Sequence, residues 1–285
     1  MADLRSYALR AEQEWSRLES GAGALELAVT KTLIERHLPS IGRILDIGGG
    51  PGRYSGWLAE LGYRVTLADA VPELLEIARD RVAGLDEIVT ADARDLSRWA
   101  DGSFDAVLCL GPLYHLTDSV DRRRAVSEIV RVLRPGGPAA FSLITRYTHL
   151  RRVISRPAEH AEFTDPEFLR RIVEDGEFQR AAAGTFNGYA VWPAAAETEF
   201  AGSGLQTVTL AAVQGFLGDA YPVGKLERLH ENQPEAYRRI FELLVDSTTD
   251  PTLLGSSTHL LYIGRRRGLG LLKGPFHDRD AENPE

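Results

Sequence analysis

The sequence predicts an α/β fold: a doubly wound sheet of seven strands, mostly parallel with an antiparallel edge strand, preceded by helices and carrying a lid insertion. Three observations predict it. Short apolar runs alternate with amphipathic stretches between residues 43 and 144, the rhythm of strand-helix-strand units joined by right-handed crossovers. The first apolar run ends in a glycine turn that opens a helix. Two later runs, 205–213 and 258–264, lack that rhythm and fit as a sixth and seventh strand paired antiparallel at one edge.

In chain order, Leu25, Ala28, Val29, Thr32, Leu33 and His37 recur at helical spacing, and Pro39 closes that segment. Arg43 to Ile47 reads as the first strand, Gly48 to Gly52 as the turn, and Tyr54 to Leu61 as a helix ended by Gly62. Arg64 to Ala68 makes the second strand, followed by Asp69 and a helix from Pro72, where the missing proline N–H does no harm. Glu87 to Thr90 is a brief third strand, and Phe104 to Leu110 a fourth, apolar on both faces as a central parallel strand is. Arg122 to Leu133 is an amphipathic helix stopped by Arg134-Pro135-Gly136-Gly137, and Ala139 to Ile144 is the fifth strand. From Thr145 to Pro193 the pattern loosens into a helical piece near Pro166 to Glu174 and a Gly/Asn-rich stretch bearing Phe186, Tyr189 and Trp192. Ala194 to Ala201 and Pro234 to Asp246 are helical. The expected organisation is an N-terminal helical cap (1–40), a domain over 41–270 with its lid at about 145–193, and a flexible tail (271–285).

Composition narrows the function classes. A net charge of −8 disfavours a polyphosphate partner, because nucleic-acid binding draws on clustered Lys and Arg. The run Arg122-Arg123-Arg124 reads as a solvated helix face. No apolar run approaches the ~20 residues of a membrane span, and residues 1–10 do not read as a signal peptide, so a cytoplasmic protein is expected. Cys109, the single cysteine, lies in an apolar run as a core thiol. His230 and His259 look isolated and show no metal spacing, so no metal is expected.

Chemistry concentrates in Asp46-Ile47-Gly48-Gly49-Gly50-Pro51-Gly52, an acid and a glycine turn between strand and helix. Glycines let the backbone turn sharply and approach a ligand, and the helix N-terminus offers free N–H groups, so a nucleotide-like ligand is expected. The dinucleotide fingerprint wants a third Gly or Ala where Arg53 stands. Asp69, at the end of the second strand, suits the two hydroxyls of a ribose, since two carboxylate oxygens match a vicinal diol. Ala91-Asp92-Ala93, Asp105 and Pro135-Gly136-Gly137 follow in order.

Asp46 with Gly48, Gly50 and Gly52 resembles motif I of the class I S-adenosylmethionine-dependent methyltransferases, and the later motifs resemble that family's in the family's order. The resemblance covers roughly Leu38 to Ile144 and implies a Rossmann-like domain that binds S-adenosylmethionine and moves a methyl group to an O or N nucleophile of a small-molecule acceptor. It implies Asp46, Gly48, Gly50 and Gly52 around the methionine part, Asp69 at the ribose, and Asp92 and Ala93 at the adenine, with Leu110 also touching cofactor.

The acceptor side is read from residues alone. Ligands of this fold bind past the carboxyl ends of the strands, which points to Gly111-Pro112-Leu113-Tyr114-His115. Amino-group methyltransferases of bases and glutamine carry an Asn or Asp where Gly111 stands, which disfavours that chemistry. Tyr114 is a candidate acceptor contact and His115 a candidate general base, against a plainer reading of both as packing. Arg146 reads as a surface ion pair more readily than as a clamp for an acceptor carboxylate, and Trp15, Phe186, Tyr189 and Trp192 are candidate pocket walls against ordinary core burial. Rival readings are a protein or peptide methyltransferase, a nicotinamide oxidoreductase and a catalytically silent cofactor-binding module.

Overall fold

The computed structural model describes residues 7–19, 21–155, 160, 163–178, 187–218 and 224–268, leaving aside the side chains of 152–155. Phe186 and the tail 271–285 lie outside the described residues. Helices α1 (Ala11–Ser16) and α2 (Gly21–Glu35) lead into strand β1 (Arg43–Ile47), helix α3 (Arg53–Glu60), strand β2 (Arg64–Asp69), helix α4 (Pro72–Arg81) and strand β3 (Glu87–Thr90). Strand β4 (Ala106–Cys109), helix α5 (Ser119–Val132) and strand β5 (Pro138–Ile144) complete the parallel part. Then come helices α6 (Arg146–Ser155) and α7 (Pro166–Arg170), strand β6 (Leu205–Ala212), helices α8 (Gly224–Asn232) and α9 (Pro234–Ser247), and strand β7 (His259–Arg266).

The seven strands stand in the order β3-β2-β1-β4-β5-β7-β6. β1 to β5 pair in parallel, and β7 runs antiparallel between β5 and β6 at one side of the sheet. A register shift between Thr207 and Thr209 interrupts β6, the edge strand on that side, and irregularity of this kind blunts an edge against pairing with another chain.

Alternation along each strand builds two apolar layers. Leu45, Ile47, Val107, Cys109, Phe141 and Tyr262 face α5, while Ile44, Val65, Ala106, Leu108, Leu261 and Ile263 face α2, α3 and α9. Both faces of the central strands are therefore buried, as a parallel sheet covered by helices requires. Cys109 is fully buried. Helix starts follow local chemistry: Asp118 accepts from the Val120 N–H at 2.7 Å and begins α5, while Pro72 and Pro234 open α4 and α9.

The structure departs from the sequence reading in detail. α6 falls where the sequence pattern loosens, α8 in a stretch that the sequence assigns to no element, and a 3-10 turn, Pro112–His115, follows β4. Residues 193–200 are 3-10 rather than α-helical, and 171–175 form a π turn after α7. Arg122 is buried, not solvated: it donates to Glu199 and to the carbonyls of Leu116 and Thr117, and its guanidinium sits 3.3 Å over the Tyr189 ring. Among the described residues no helix is long and apolar enough to cross a membrane.

Candidate active site

A cavity of about 740 Å³ opens past the carboxyl ends of β1, β2 and β4, within the ~300–1,000 Å³ usual for small-molecule sites. Its floor is the glycine turn. Gly48, Gly50 and Gly52 have φ of +71°, +56° and +87°, a region L side chains rarely enter. A Cβ on Gly48 would lie 2.3 Å from Pro112 Cγ, and one on Gly49 2.5 Å from Leu67 Cδ1 and 2.6 Å from Asp46 Cγ. The turn is closed by N–H bonds from Gly48 and Gly49 to the Ala68 carbonyl, which fasten it to β2.

Two carboxylates serve this floor. Asp69 is buried and takes the Gly50 N–H on Oδ2 and the Val71 N–H on Oδ1, each at 2.8 Å. Burial raises its pKa, opposed by these backbone donors. Asp46 is fully buried; Oδ2 accepts from the Ser55 hydroxyl at 2.6 Å and Oδ1 has no protein partner. Burial pushes the Asp46 carboxyl up to about 6, against the Ser55 hydrogen bond and with the help of the Asp69 charge. An orphaned acceptor beside a glycine cradle is what a ligand ammonium or an ordered water satisfies.

At the next corner Ala93 is buried and Asp92 half-buried. The Asp92 carboxylate accepts from the Arg94 N–H and guanidinium, which also reaches Asp121 at 2.6 Å. Arg94 holds the Asp92 carboxyl below its usual range.

The far end of the cavity is aromatic and titratable. Tyr114 donates its hydroxyl to the Leu110 carbonyl at 3.2 Å, and its ring lies edge-on to His115. His115 Nε2 is 3.0 Å from the Tyr7 hydroxyl, and burial pushes the imidazole down to about 4. Opposite them, His259 at the start of β7 turns Nδ1 to Glu26 Oε2 at 3.1 Å, off the line of a well-aligned hydrogen bond. Arg17 Nη1 stands 3.7 Å from the other Glu26 oxygen. Burial works against the Glu26 anion, but His259 and Arg17 hold its carboxyl down at about 2. Tyr7, Arg10, Glu14 and Arg17 complete the wall from the N-terminal side.

Residues 45–141 match the family model described as a methyltransferase domain. Over 154 residues, 48% of this chain and 62% of the relative, the chain is 36% identical to ubiquinone biosynthesis O-methyltransferase of Xanthomonas oryzae pv. oryzae. Over 120 residues, 40% of this chain and 42% of the relative, it is 38% identical to methyltransferase GfsG of Streptomyces halstedii. The matched stretch thus spans less than two thirds of these curated relatives. A solved SAM-dependent methyltransferase of Methanosarcina mazei shares the fold with a TM-score of 0.56 at 20% identity, over 82% of this chain and 97% of that one. Residues 45–141 thus match a methyltransferase domain, on a fold that the chain shares with solved S-adenosylmethionine-dependent methyltransferases. The donor set fits S-adenosylmethionine: a glycine cradle that side chains would fill, the Asp46 acceptor beside it, and the Asp69 carboxylate on the same wall.

Every cofactor-side residue expected from the sequence, save Gly52, lines this cavity, as do Tyr114 and His115; Gly52 caps α3 just behind, where its Cβ would meet Leu67 at 3.2 Å. Other expectations need correction. Arg146 forms no surface ion pair; it is buried and donates to the carbonyls of Val173, Glu174 and Ala190. Trp15, Tyr189 and Trp192 do not line the cavity: Trp15 packs under Arg53 and Arg81, Tyr189 under Arg122, and Trp192 against Tyr147 and Arg146. His259 is not isolated, because Glu26 faces it. His149, just past β5, lines the cavity and stacks 3.9 Å from Phe178, while Tyr7, Arg17 and Glu26 are the residues sequence reasoning missed. No spacing signal marks them, since helix and strand bring them together from opposite ends of the chain. Among the described residues no group of three or more His, Cys, Asp or Glu is arranged to hold a metal ion.

Proposed function

We propose that the chain transfers a methyl group from S-adenosylmethionine to an O or N nucleophile of a small molecule. The observation that carries this reading is a single cavity in which the glycine turn and Asp69 at one end face Tyr114 and His115 at the other. The cofactor, when bound, supplies an electrophilic methyl on a sulfonium. Transfer is an in-line displacement, so the protein has chiefly to orient the nucleophile and exclude water.

Asp69 would hold the ribose hydroxyls on lone pairs left by its two backbone donors, and the Gly48–Gly52 turn would receive the amino-acid part beside Asp46. Ala93 and Asp92 would meet the adenine edge, beside the Arg94 guanidinium that bridges Asp92 and Asp121. Tyr114 and His115 touch the acceptor. The N-terminal segment, through Tyr7, Arg10 and Glu14, caps the cavity against water. Support for a small acceptor comes from the cavity volume of about 740 Å³ and from the name of the Xanthomonas relative, an O-methyltransferase of ubiquinone biosynthesis.

The test is methyl-labelled S-adenosylmethionine supplied with the full chain to a metabolite extract and, separately, to resolved protein. Label in a low-mass product is the expected result. Label confined to protein would reject the small-molecule acceptor.

A further inference from the structure

Three histidines border the acceptor end of the cavity, and they differ in what their nitrogens meet. His115 has Nε2 against the Tyr7 hydroxyl. His149 is buried and stacked flat on Phe178, with 5° between the ring planes. His259 directs Nδ1 at the Glu26 carboxylate and lines the cavity, which leaves Nε2 as its cavity-side nitrogen. The groups facing it are Glu26 and, behind that, Arg17 from the N-terminal helices, and the Tyr114 ring at 6.1 Å from the turn after β4.

A carboxylate 3.1 Å from Nδ1 favours the tautomer with the proton there and stabilises the imidazolium once formed. We propose that His259, oriented by Glu26, is the proton acceptor for a phenolic hydroxyl, so that the acceptor of this site is a phenol. This rests on the methyl-transfer reading and deepens it. Two features favour a phenol over the other nucleophiles. Gly111 has no side chain to hold a planar amine or amide. An imidazole is also far better matched in acidity to a phenol, with a pKa of about 10, than to an aliphatic alcohol. In the step, the oxygen–methyl bond forms as the methyl–sulfur bond breaks with its electron pair staying on sulfur. The hydroxyl proton passes to His259 Nε2 and from there to solvent. Glu26 is a positioning residue; it does not take the proton.

The test uses the full chain, S-adenosylmethionine and catechol as the probe phenol, with S-adenosylhomocysteine binding measured in parallel. Catechol is expected to give a monomethyl ether. His259→Gln should lower kcat by about 100-fold with S-adenosylhomocysteine affinity kept. Glu26→Gln should lower kcat by about tenfold with the KM for catechol and the S-adenosylhomocysteine affinity kept, and Glu26→Asp should restore part of it. Full kcat in His259→Gln, or full kcat in Glu26→Gln, overturns the assignment. No ether from catechol while S-adenosylhomocysteine still binds overturns the phenol class but not methyl transfer. Failure of S-adenosylhomocysteine to bind the unsubstituted chain overturns the methyl-transfer reading itself. Should the variants not fold, 15N-histidine spectra of the unsubstituted chain decide: a neutral His259 protonated on Nδ1 supports the assignment, and one protonated on Nε2 contradicts it.

Discussion

The Gly50 N–H donates to Asp69 Oδ2 at 2.8 Å, so the glycine turn after β1 and the acid that ends β2 form one hydrogen-bonded unit at the cavity floor. A side chain on the turn therefore acts on stability and on ligand in different proportions at different positions.

Gly48→Ala and Gly50→Ala separate these effects. At Gly50 a Cβ meets nothing nearer than Leu74 Cδ1 at 3.8 Å, leaving only the left-handed backbone penalty of about 1–2 kcal/mol. At Gly48 the same penalty is joined by a 2.3 Å clash with Pro112 that displaces the turn carrying Tyr114. Denaturant unfolding should find Gly48→Ala the less stable by at least about 1 kcal/mol; equal stability would contradict the packing described.

Asp46 sets a pH dependence. Its carboxyl is raised from 3.8 to about 6 by burial, so the folded state binds its proton more tightly than the unfolded state does. That contribution is complete below pH 4 and is lost as pH rises through about 6. Asp46→Asn, which removes the buried charge, should raise stability at pH 8 by up to about 3 kcal/mol, with no gain at pH 4. Thermal unfolding of both proteins across that window reads the difference, and a gain of the same size at both ends would contradict it. S-adenosylhomocysteine affinity should fall in the same variant.

Much of this floor was legible in the sequence because it is local. Strand ends and glycine turns at β1 and β2 are written in consecutive residues, and the apolar runs of β1 to β5 are buried on both faces, so their pattern is strong. α6 escaped because Arg146-Tyr147-Thr148-His149-Leu150-Arg151-Arg152 is polar and its core contact is made by Arg146 and His149 rather than by an apolar stripe. The acceptor wall escaped for a different reason. Tyr7 and His115, or Glu26 and His259, become neighbours only when α2 and the segment before α1 fold back over the sheet.

Arg146 is a structural rather than ligand-binding cation, satisfied by three carbonyls between the α7 region and residue 190. Arg146→Met should cost about 2–4 kcal/mol in urea unfolding, since buried carbonyls lose their donor, while Arg146→Lys should recover little of the fork geometry. A loss of cofactor affinity without loss of stability would contradict this assignment.

Trp15 ties the N-terminal segment to the cofactor half. Arg53 lies 4.7 Å and Arg81 5.2 Å from its ring, and Arg81 also pairs with Glu12 at 2.8 Å. Trp15→Ala removes two cation–π contacts of about 0.5–1 kcal/mol each, and a cap that closes over cofactor should then release it about fivefold to thirtyfold more readily. Calorimetry with S-adenosylhomocysteine measures this; unchanged affinity would mean that the segment does not cap the bound cofactor.

The most direct measurement of the central claim is calorimetric titration of the full chain with S-adenosylhomocysteine and with NAD⁺, repeated on Asp69→Ala. The account predicts saturable binding of S-adenosylhomocysteine alone, weakened at least about tenfold in the variant, where a charge-assisted hydrogen bond to the ribose is lost. Binding of NAD⁺ in its place, or of neither ligand, would contradict it.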